Sequence, residues 1–162
     1  MKKVDYSSLS QLQKSALDGA ANAMETAYNP YSHYYVGAAI YTDSGELITG
    51  SNVENAAFWP TMCAERSAIF RANAMNVRNI AGIAVIARGE EFDTSDVTAP
   101  CGGCRQVIYE FSQVAGKDIE LILSSTKKDK IVLTTISELF PLAWGPADVG
   151  MDLAKYKNAH LG

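Results

Sequence analysis

The sequence lacks any apolar run close to the roughly 20 residues that a membrane-spanning helix needs. Lys2 and Lys3 stand near the start of the chain, but no apolar segment follows them, so no secretory signal is predicted. Cysteine is limited to 3 of 162 residues and histidine to 2. An odd number of cysteines without a secretory signal is typical of a reducing compartment and of metal-binding or catalytic thiols. We therefore predict a cytoplasmic protein without disulfides and without a membrane partner.

A basic surface stripe is also missing from the sequence. The net charge is −4, and the positive residues are scattered apart from Lys127-Lys128-Asp129-Lys130, where an acidic residue interrupts the run. Proteins that bind polynucleotides usually cluster Lys and Arg to neutralise phosphates. The sequence therefore argues against a nucleic-acid partner, while leaving room for a local basic groove.

No repeat, low-complexity tract or linker divides the chain, so we predict a single domain over residues 1–162, in which 145–162 is the least interpretable part. Helical periodicity predicts three main helices over 8–28, 62–75 and 103–116, and a short one over 135–139. Apolar and β-branched segments predict five strands over 36–41, 47–50, 80–87, 119–123 and 131–133. Their order predicts an α/β fold, a three-layer α-β-α sandwich around a five-stranded mixed sheet.

All three cysteines fall into one pattern. Cys63-Ala64-Glu65 comes first, and Pro100-Cys101-Gly102-Gly103-Cys104 follows later in the chain. Three thiolates can hold one zinc ion and leave a coordination position for water, which is how catalytic zinc sites differ from structural ones. Glu65 lies two residues from the first thiol, where a carboxylate can move protons beside the metal. This layout is typical of zinc-dependent deaminases. We therefore predict Cys63, Cys101 and Cys104 as ligands of one Zn²⁺ and Glu65 as the catalytic residue.

The predicted helices place these thiols at helix N-termini. Cys63 stands at the start of the second helix, and Cys101 and Cys104 at the start of the third. Unpaired N–H groups and partial positive charge at a helix N-terminus favour thiolate over thiol. Arg66 and Arg105 each directly follow a motif residue. We expect both arginines to donate hydrogen bonds to the sulfurs, which would draw negative charge away from the zinc site.

Two other interpretations of the cysteines are open. Cys101 and Cys104 have the spacing of a redox dithiol, but a redox pair needs neither a third cysteine nor Glu65. A structural zinc site usually has four protein ligands, and the candidates for the fourth, His33 and His160, are remote in sequence. His33 is expected to be a turn residue that packs or hydrogen-bonds locally. The catalytic interpretation is favoured over both.

Beyond the zinc motif, the chain resembles the small homotetrameric cytidine deaminases from about Leu9 to Leu153. Several blocks carry the resemblance, and together they are more specific than the zinc motif alone: Pro30-Tyr31-Ser32-His33, Val36-Gly37-Ala38-Ala39, Asn52-Val53-Glu54-Asn55-Ala56, Cys63-Ala64-Glu65-Arg66, Pro100-Cys101-Gly102-Gly103-Cys104-Arg105-Gln106 and Gly145-Pro146-Ala147-Asp148.

The resemblance implies hydrolytic deamination of cytidine and deoxycytidine to uridine and deoxyuridine, a reaction of pyrimidine salvage. It implies one zinc ion per subunit, with Glu65 moving protons between the attacking water, N3 of the base and the departing amine. By the same resemblance Asn52 and Glu54 bind the ribose, and the backbone of Ala64 and Cys101 contacts the base edge. The nucleoside is then the small-molecule partner, and the assembly a homotetramer.

The aromatic residues depart from the family pattern. Many relatives have Phe where this chain has Tyr34, which is expected to stack on the base. Many also have Phe where it has Trp144, which is expected to form a wall of the site of a neighbouring subunit. Both changes keep an aromatic face, so stacking can survive. Tyr31 and Phe58 are expected at subunit contacts together with Trp144.

These departures leave other functions open. One alternative is deamination of a modified cytosine nucleoside or of a blasticidin-type antibiotic on the same fold. Another is a zinc-stabilised binding module that has lost catalysis. Retention of Glu65 argues against the binding module, because a structural metal site has no use for that carboxylate.

Overall fold

The computed structural model describes residues 1–157. Its centre is one mixed sheet in the order β1-β6-β5-β4-β2-β3. The strands are β1 (Lys2–Val4), β2 (Tyr34–Thr42), β3 (Leu47–Ser51), β4 (Ile80–Gly89), β5 (Glu120–Ser124) and β6 (Ile131–Thr135). β4 and β5 pair in parallel, and the other neighbouring strands pair antiparallel.

The helices are α1 (Gln11–Met24), α2 (Ala64–Ala74), α3 (Gly102–Ala115) and α4 (Ile136–Leu139). Short 3₁₀ turns lie at Tyr6–Ser8, Pro146–Val149 and Ala154–Tyr156. Over the part of the chain that the structure describes, no helix combines the length and the apolar character that crossing a membrane requires.

The helices cover both faces of the sheet. Because successive residues of a strand point to opposite faces, each strand contributes side chains to the packing on both sides. On one face Leu17 and Ala20 of α1 pack with Ala39 of β2 in a buried cluster. On the other face Ile69 of α2 and Ile108 of α3 form a second buried cluster, together with strand residues such as Ile40 and Leu121. The predicted three-layer α-β-α sandwich is confirmed.

Two glycines let the helices approach the sheet closely. A Cβ atom on Gly37 of β2 would lie 1.9 Å from the Ala20 carbonyl oxygen of α1. A Cβ atom on Gly50 of β3 would lie 2.4 Å from the Ala68 backbone nitrogen of α2. Any side chain at either position would therefore force the helix away from the strand.

The sheet has six strands rather than the five predicted. The additional strand, β1, is short and begins with two lysines, so it has no apolar pattern of its own. Its place is set by backbone pairing with β6, in which Val4 lies opposite Ile131. A strand held by a partner far along the chain leaves little local signal in the sequence.

The first helix is shorter than the predicted range 8–28. It begins after Ser10, whose hydroxyl accepts the Gln13 N–H while the Gln13 side chain accepts the Ser10 N–H, a capping box. It ends at Met24, and turns follow in place of the expected continuation to Asn29-Pro30. These turns lead the chain to Tyr28, which forms a bridge with Val53 beside the candidate site.

Candidate metal and active site

Three thiols converge at the N-termini of α2 and α3. Cys63 is the N-cap residue of α2 and Cys101 that of α3, while Cys104 lies in the first turn of α3. The three sulfur atoms all lie within 4.8 Å of one another, and the Cys63 and Cys101 sulfurs are 3.9 Å apart. The N-termini of the two helices therefore meet and bring the three thiols together, as a site for one zinc ion requires.

The cluster has the dimensions of a zinc site. Zinc–sulfur bonds of about 2.3 Å in a tetrahedron place neighbouring sulfurs about 3.8 Å apart, close to the spacing seen here. Over residues 1–157 the group that could hold an ion consists of these three thiols. His33 is a turn residue with φ of 53°, and its Nδ1 lies 3.3 Å from Glu90 Oε2. His160 lies outside the described residues. The thiols thus fit a zinc ion with one open coordination position.

The thiols are electrostatically unequal. A hydrogen bond with Cys104 lowers the pKa of the Cys63 thiol to about 5, and the Arg66 guanidinium contributes in the same direction. The same hydrogen bond, together with burial, raises the pKa of Cys104. The surroundings of Cys63 therefore favour its thiolate, which is the form that binds zinc.

One of the two arginines contacts a sulfur as expected. Arg66 Nη2 lies 3.7 Å from Cys63 Sγ and also donates to the Thr61 carbonyl oxygen at 3.2 Å. Arg105 does not follow the prediction: its Nε donates to the Pro100 carbonyl oxygen at 2.9 Å and its Nη1 to that of Leu139 at 2.8 Å. Arg105 therefore fastens the start of α3 to the end of α4.

Glu65 is a buried carboxylate in the first turn of α2. The residue is 4% exposed, and this burial raises the pKa of its carboxyl group above the usual range. The nearby charge of Cys63 acts in the same direction. The side chain lies two residues from one thiol, in a setting where its charged form is disfavoured.

The residues predicted to bind the ribose, Asn52 and Glu54, lie on a segment that pairs with the residue before Cys63. Val53 exchanges two backbone hydrogen bonds with Met62, of 2.9 and 2.8 Å, and this pairing holds the segment beside the residue that precedes Cys63. The Asn52 side chain accepts the Val36 N–H at 2.8 Å and donates to the Tyr34 carbonyl oxygen at 2.9 Å. Asn52 therefore connects the segment to the start of β2.

Glu54 is fixed by backbone amides. Its Oε2 accepts the N–H groups of Tyr31 at 2.9 Å and Ser32 at 3.1 Å. Although partial burial acts in the opposite direction, hydrogen bonds from Ser32 and Tyr31 lower the pKa of the Glu54 carboxyl group. These three residues line a cavity of about 340 Å³ together with Phe58 and Thr61. The Glu54 carboxylate thus stays ionised at the edge of an open cavity.

The aromatic residues occupy different positions around the site. Tyr34 is half-buried and shares the sheet face of Ala38, which α2 and α3 cover. Its ring centroid lies 6.3 Å from that of Phe92. Trp144 is 67% exposed, and its carbonyl oxygen accepts a hydrogen bond from Gln106 Nε2 of α3 at 3.1 Å. Within a single chain, therefore, the Trp144 ring remains largely open to solvent.

The sequence did not identify three residues of this region. Ser32 stands inside a block that carries the family resemblance, so its position was the available signal. Thr61 and Phe92 have no sequence signal, because their roles depend on contacts between segments that only folding brings together.

Comparison with known proteins places the chain in a family. Residues 10–116 match the model of the cytidine and deoxycytidylate deaminase zinc-binding region. The chain belongs to this family. The matched region contains the three clustered thiols and Glu65. Zinc, predicted from the spacing of the cysteines, is thereby confirmed as the cofactor.

Individual relatives cover most of this deaminase-family chain. A cytidine deaminase from Halalkalibacterium halodurans is 41% identical over 130 residues, which are 80% of this chain and 92% of that protein. One from Sporosarcina psychrophila is 41% identical over 127 residues, 78% of this chain and 87% of that protein. The crystal structure of cytidine deaminase from Burkholderia pseudomallei aligns with a TM-score of 0.73 and 36% identity, covering 84% of this chain and 100% of that one.

Proposed function

We propose that this protein catalyses the zinc-dependent hydrolytic deamination of cytidine and deoxycytidine to uridine and deoxyuridine, a reaction of pyrimidine salvage. The observation that carries the proposal is the cluster of three thiols with a buried carboxylate, Glu65, in the helix turn that follows Cys63. Family membership supports the reaction class, and relatives that are 41% identical are named cytidine deaminases.

In this proposal Cys63, Cys101 and Cys104 hold one zinc ion per subunit. When bound, zinc supplies a Lewis acid that makes a water molecule nucleophilic near neutral pH. Three protein ligands suit that role because they leave a coordination position open. Arg66 moderates the charge of the site through its 3.7 Å contact with the Cys63 sulfur.

Glu65 is the proposed catalytic residue. Its carboxylate accepts a proton from the attacking water and delivers it to N3 of the cytosine ring. The water oxygen forms a bond to C4 as the C4–N3 double bond becomes single. The second proton of the water then passes by way of Glu65 to the amino nitrogen, the bond between C4 and that nitrogen breaks to release ammonia, and the C4 carbonyl forms. Burial supports this role, because a residue that is 4% exposed can transfer protons without exchange with bulk water.

The nucleoside is proposed to bind between Tyr34 and the segment that carries Asn52 and Glu54. The Tyr34 ring stacks on the base. Glu54 uses Oε2 for the amides of Tyr31 and Ser32, which leaves Oε1 to accept a hydrogen bond from the ribose. Asn52 gives one N–H and one lone pair to the backbone of β2, so its second N–H and the second lone pair of Oδ1 are the groups it can offer to the sugar.

The remaining contacts are proposed to come from two helix N-termini and from a second subunit. The backbone of Ala64 and Cys101 contacts the base edge, where helix N–H groups have no partner within their own helix. Trp144, which is 67% exposed in the single chain, closes the site of a neighbouring subunit in a homotetramer. The exposure of this large aromatic ring supports the assignment, because exposed apolar surface often marks an interface between proteins.

We also propose that residues 1–157 and the remaining C-terminal residues form one domain, 1–162, that works in the cytoplasm. β1 pairs with β6 of the sheet, and Lys157 Nζ donates to the Ala115 carbonyl oxygen of α3 at 2.8 Å, so both ends of the described chain attach to the same three-layer fold. The three free thiols must stay reduced to bind zinc, which supports a reducing compartment.

A substrate panel followed by ultraviolet absorbance tests the proposed reaction. The zinc-loaded protein should deaminate cytidine and deoxycytidine. Glu65→Gln should lose roughly 100- to 10,000-fold of the turnover while keeping its zinc, because an amide cannot accept the proton. The panel includes a modified cytosine nucleoside and blasticidin S. Failure of the zinc-loaded parent on both ordinary nucleosides would overturn the proposal, and turnover confined to blasticidin S would assign the antibiotic instead.

A further inference from the structure

The loop after β4 is held in a defined shape. The Gly89 N–H donates to the Phe92 carbonyl oxygen at 2.8 Å, and Arg88 and Asp93 form an antiparallel bridge, so the chain reverses directly after the strand. Thr94 is anchored next to this reversal: its N–H donates to Thr126 Oγ1 at 2.8 Å, and that hydroxyl donates to a carbonyl of β4 at 2.6 Å. These hydrogen bonds therefore fix both ends of the loop, and the residues at its tip are Glu90 to Phe92.

The loop places the Phe92 ring over the end of β4. A Cβ atom on Gly89 would lie 2.1 Å from Phe92 Cε1, so the ring occupies the space that any side chain at Gly89 would need. Gly89 is the residue of β4 that lies opposite Tyr34 of β2 in the sheet. The absence of a side chain at Gly89 therefore lets Phe92 reach across to Tyr34.

The two rings are in contact range with a tilted geometry. Their centroids are 6.3 Å apart and their planes differ by 34°. Separations of this order are favourable for aromatic pairs. A second contact joins the same loop to the residue before Tyr34, since Glu90 Oε2 lies 3.3 Å from His33 Nδ1. Both of these side chains are more than half exposed, so this contact contributes little, and Phe92 is the main support.

We propose that Phe92 is a positioning residue that sets the orientation of the Tyr34 ring for stacking on the substrate base. This inference rests on the proposed function. Tyr34 lies at the first position of β2, and the hydrogen bond from Asn52 goes to its backbone carbonyl oxygen, so this bond does not fix the ring. Phe92, which is 62% exposed, contacts the ring from the side of β4. Its contribution is to restrict the rotation of Tyr34 before the nucleoside arrives.

Steady-state kinetics of Phe92 variants test this role. Phe92→Leu should raise KM for cytidine about 3- to 10-fold with kcat within about twofold of the parent, because an aromatic pair of this kind contributes a modest free energy to ring placement. Phe92→Tyr should restore the parental KM, since it keeps the ring. Glu91→Gln is the matched control in the same exposed loop and should leave both constants unchanged.

A double-mutant cycle separates positioning from general stability. In a Tyr34→Leu background the additional Phe92→Leu change should have almost no effect on KM, because the ring to be positioned is gone. An equal rise in both backgrounds, or an unchanged KM in Phe92→Leu, would overturn the positioning role. These outcomes leave the proposed function intact whenever the parent deaminates cytidine. A zinc-loaded parent without cytidine turnover overturns the proposed function and the positioning role with it.

Discussion

At the scale of single residues, the surroundings of two glutamates in the same region shift their pKa values in opposite directions. Burial raises the pKa of Glu65, whereas hydrogen bonds from Ser32 and Tyr31 lower the pKa of Glu54. A carboxyl whose charged form is disfavoured suits the transport of protons, and one that stays ionised suits the binding of hydroxyl groups. Sequence spacing alone does not distinguish these roles, since both depend on what folds around each side chain.

The role proposed for Glu54 gives a prediction at this scale. Glu54→Ala should lower kcat/KM for cytidine by about 10- to 100-fold, because a hydrogen bond to a charged group is lost. Turnover of free cytosine, which has no ribose, should change much less. Steady-state assays with both substrates provide the measurement, and thermal unfolding checks that the variant remains folded after the Tyr31 and Ser32 amides lose their acceptor. An equal loss for cytidine and cytosine would contradict ribose binding by Glu54.

At the scale of helices and strands, the two N-cap cysteines explain how the fold presents the thiols. Cys63 and Cys101 both have extended backbone angles, as N-cap residues do, yet neither side chain makes a capping hydrogen bond. A Ser or Asp at an N-cap normally uses its side chain to satisfy a helix N–H. Here the sulfur atoms belong to the cluster of three thiols and do not satisfy a helix N–H.

The packing of α1 against β2 predicts that replacing two glycines by alanine changes the free energy of unfolding in opposite directions. Gly37→Ala should lower the free energy of unfolding by about 1–3 kcal/mol, because its Cβ would lie 1.9 Å from the Ala20 carbonyl oxygen. Gly19→Ala in α1 should raise it by about 0.5–1 kcal/mol, since its nearest neighbours would be at 3.6 Å and alanine favours the helix. Denaturant unfolding of both variants provides the measurement. A shift of the same sign and size in both would contradict this account of the packing.

The elements also show what the sequence could and could not predict. The starts of α2 and α3 were predicted within two residues, because periodicity, Pro100 and the cysteine motifs all act locally. β1 was missed because its place depends on pairing with β6 across most of the chain. The bonds of Arg105 to Pro100 and Leu139 were missed for a related reason, since Leu139 comes close only in the folded protein.

At the scale of the whole molecule, three large aromatic side chains are mostly exposed, and one of them lines the cavity beside Glu54. Phe58, Trp59 and Trp144 are 71%, 88% and 67% exposed. Phe58 lines the cavity beside Glu54, and its ring is 5.9 Å from that of Tyr31. Aromatic rings of this size are seldom left in water on an isolated protein, and they are enriched at interfaces between subunits. A homotetramer that covers them would also complete the substrate site.

The proposed assembly predicts that dissociation and loss of activity occur together. Trp144→Asp should convert a tetramer into smaller species in sedimentation velocity and should lower kcat/KM for cytidine, because a charge in an apolar interface is costly. Leu47→Asp is the matched control, since Leu47 is also exposed but lies at the hairpin tip, opposite Tyr41 and away from the cavity. This control should keep the parental sedimentation and activity. A parent that sediments as a fully active monomer would contradict the assembly and the contribution of Trp144 to a neighbouring site.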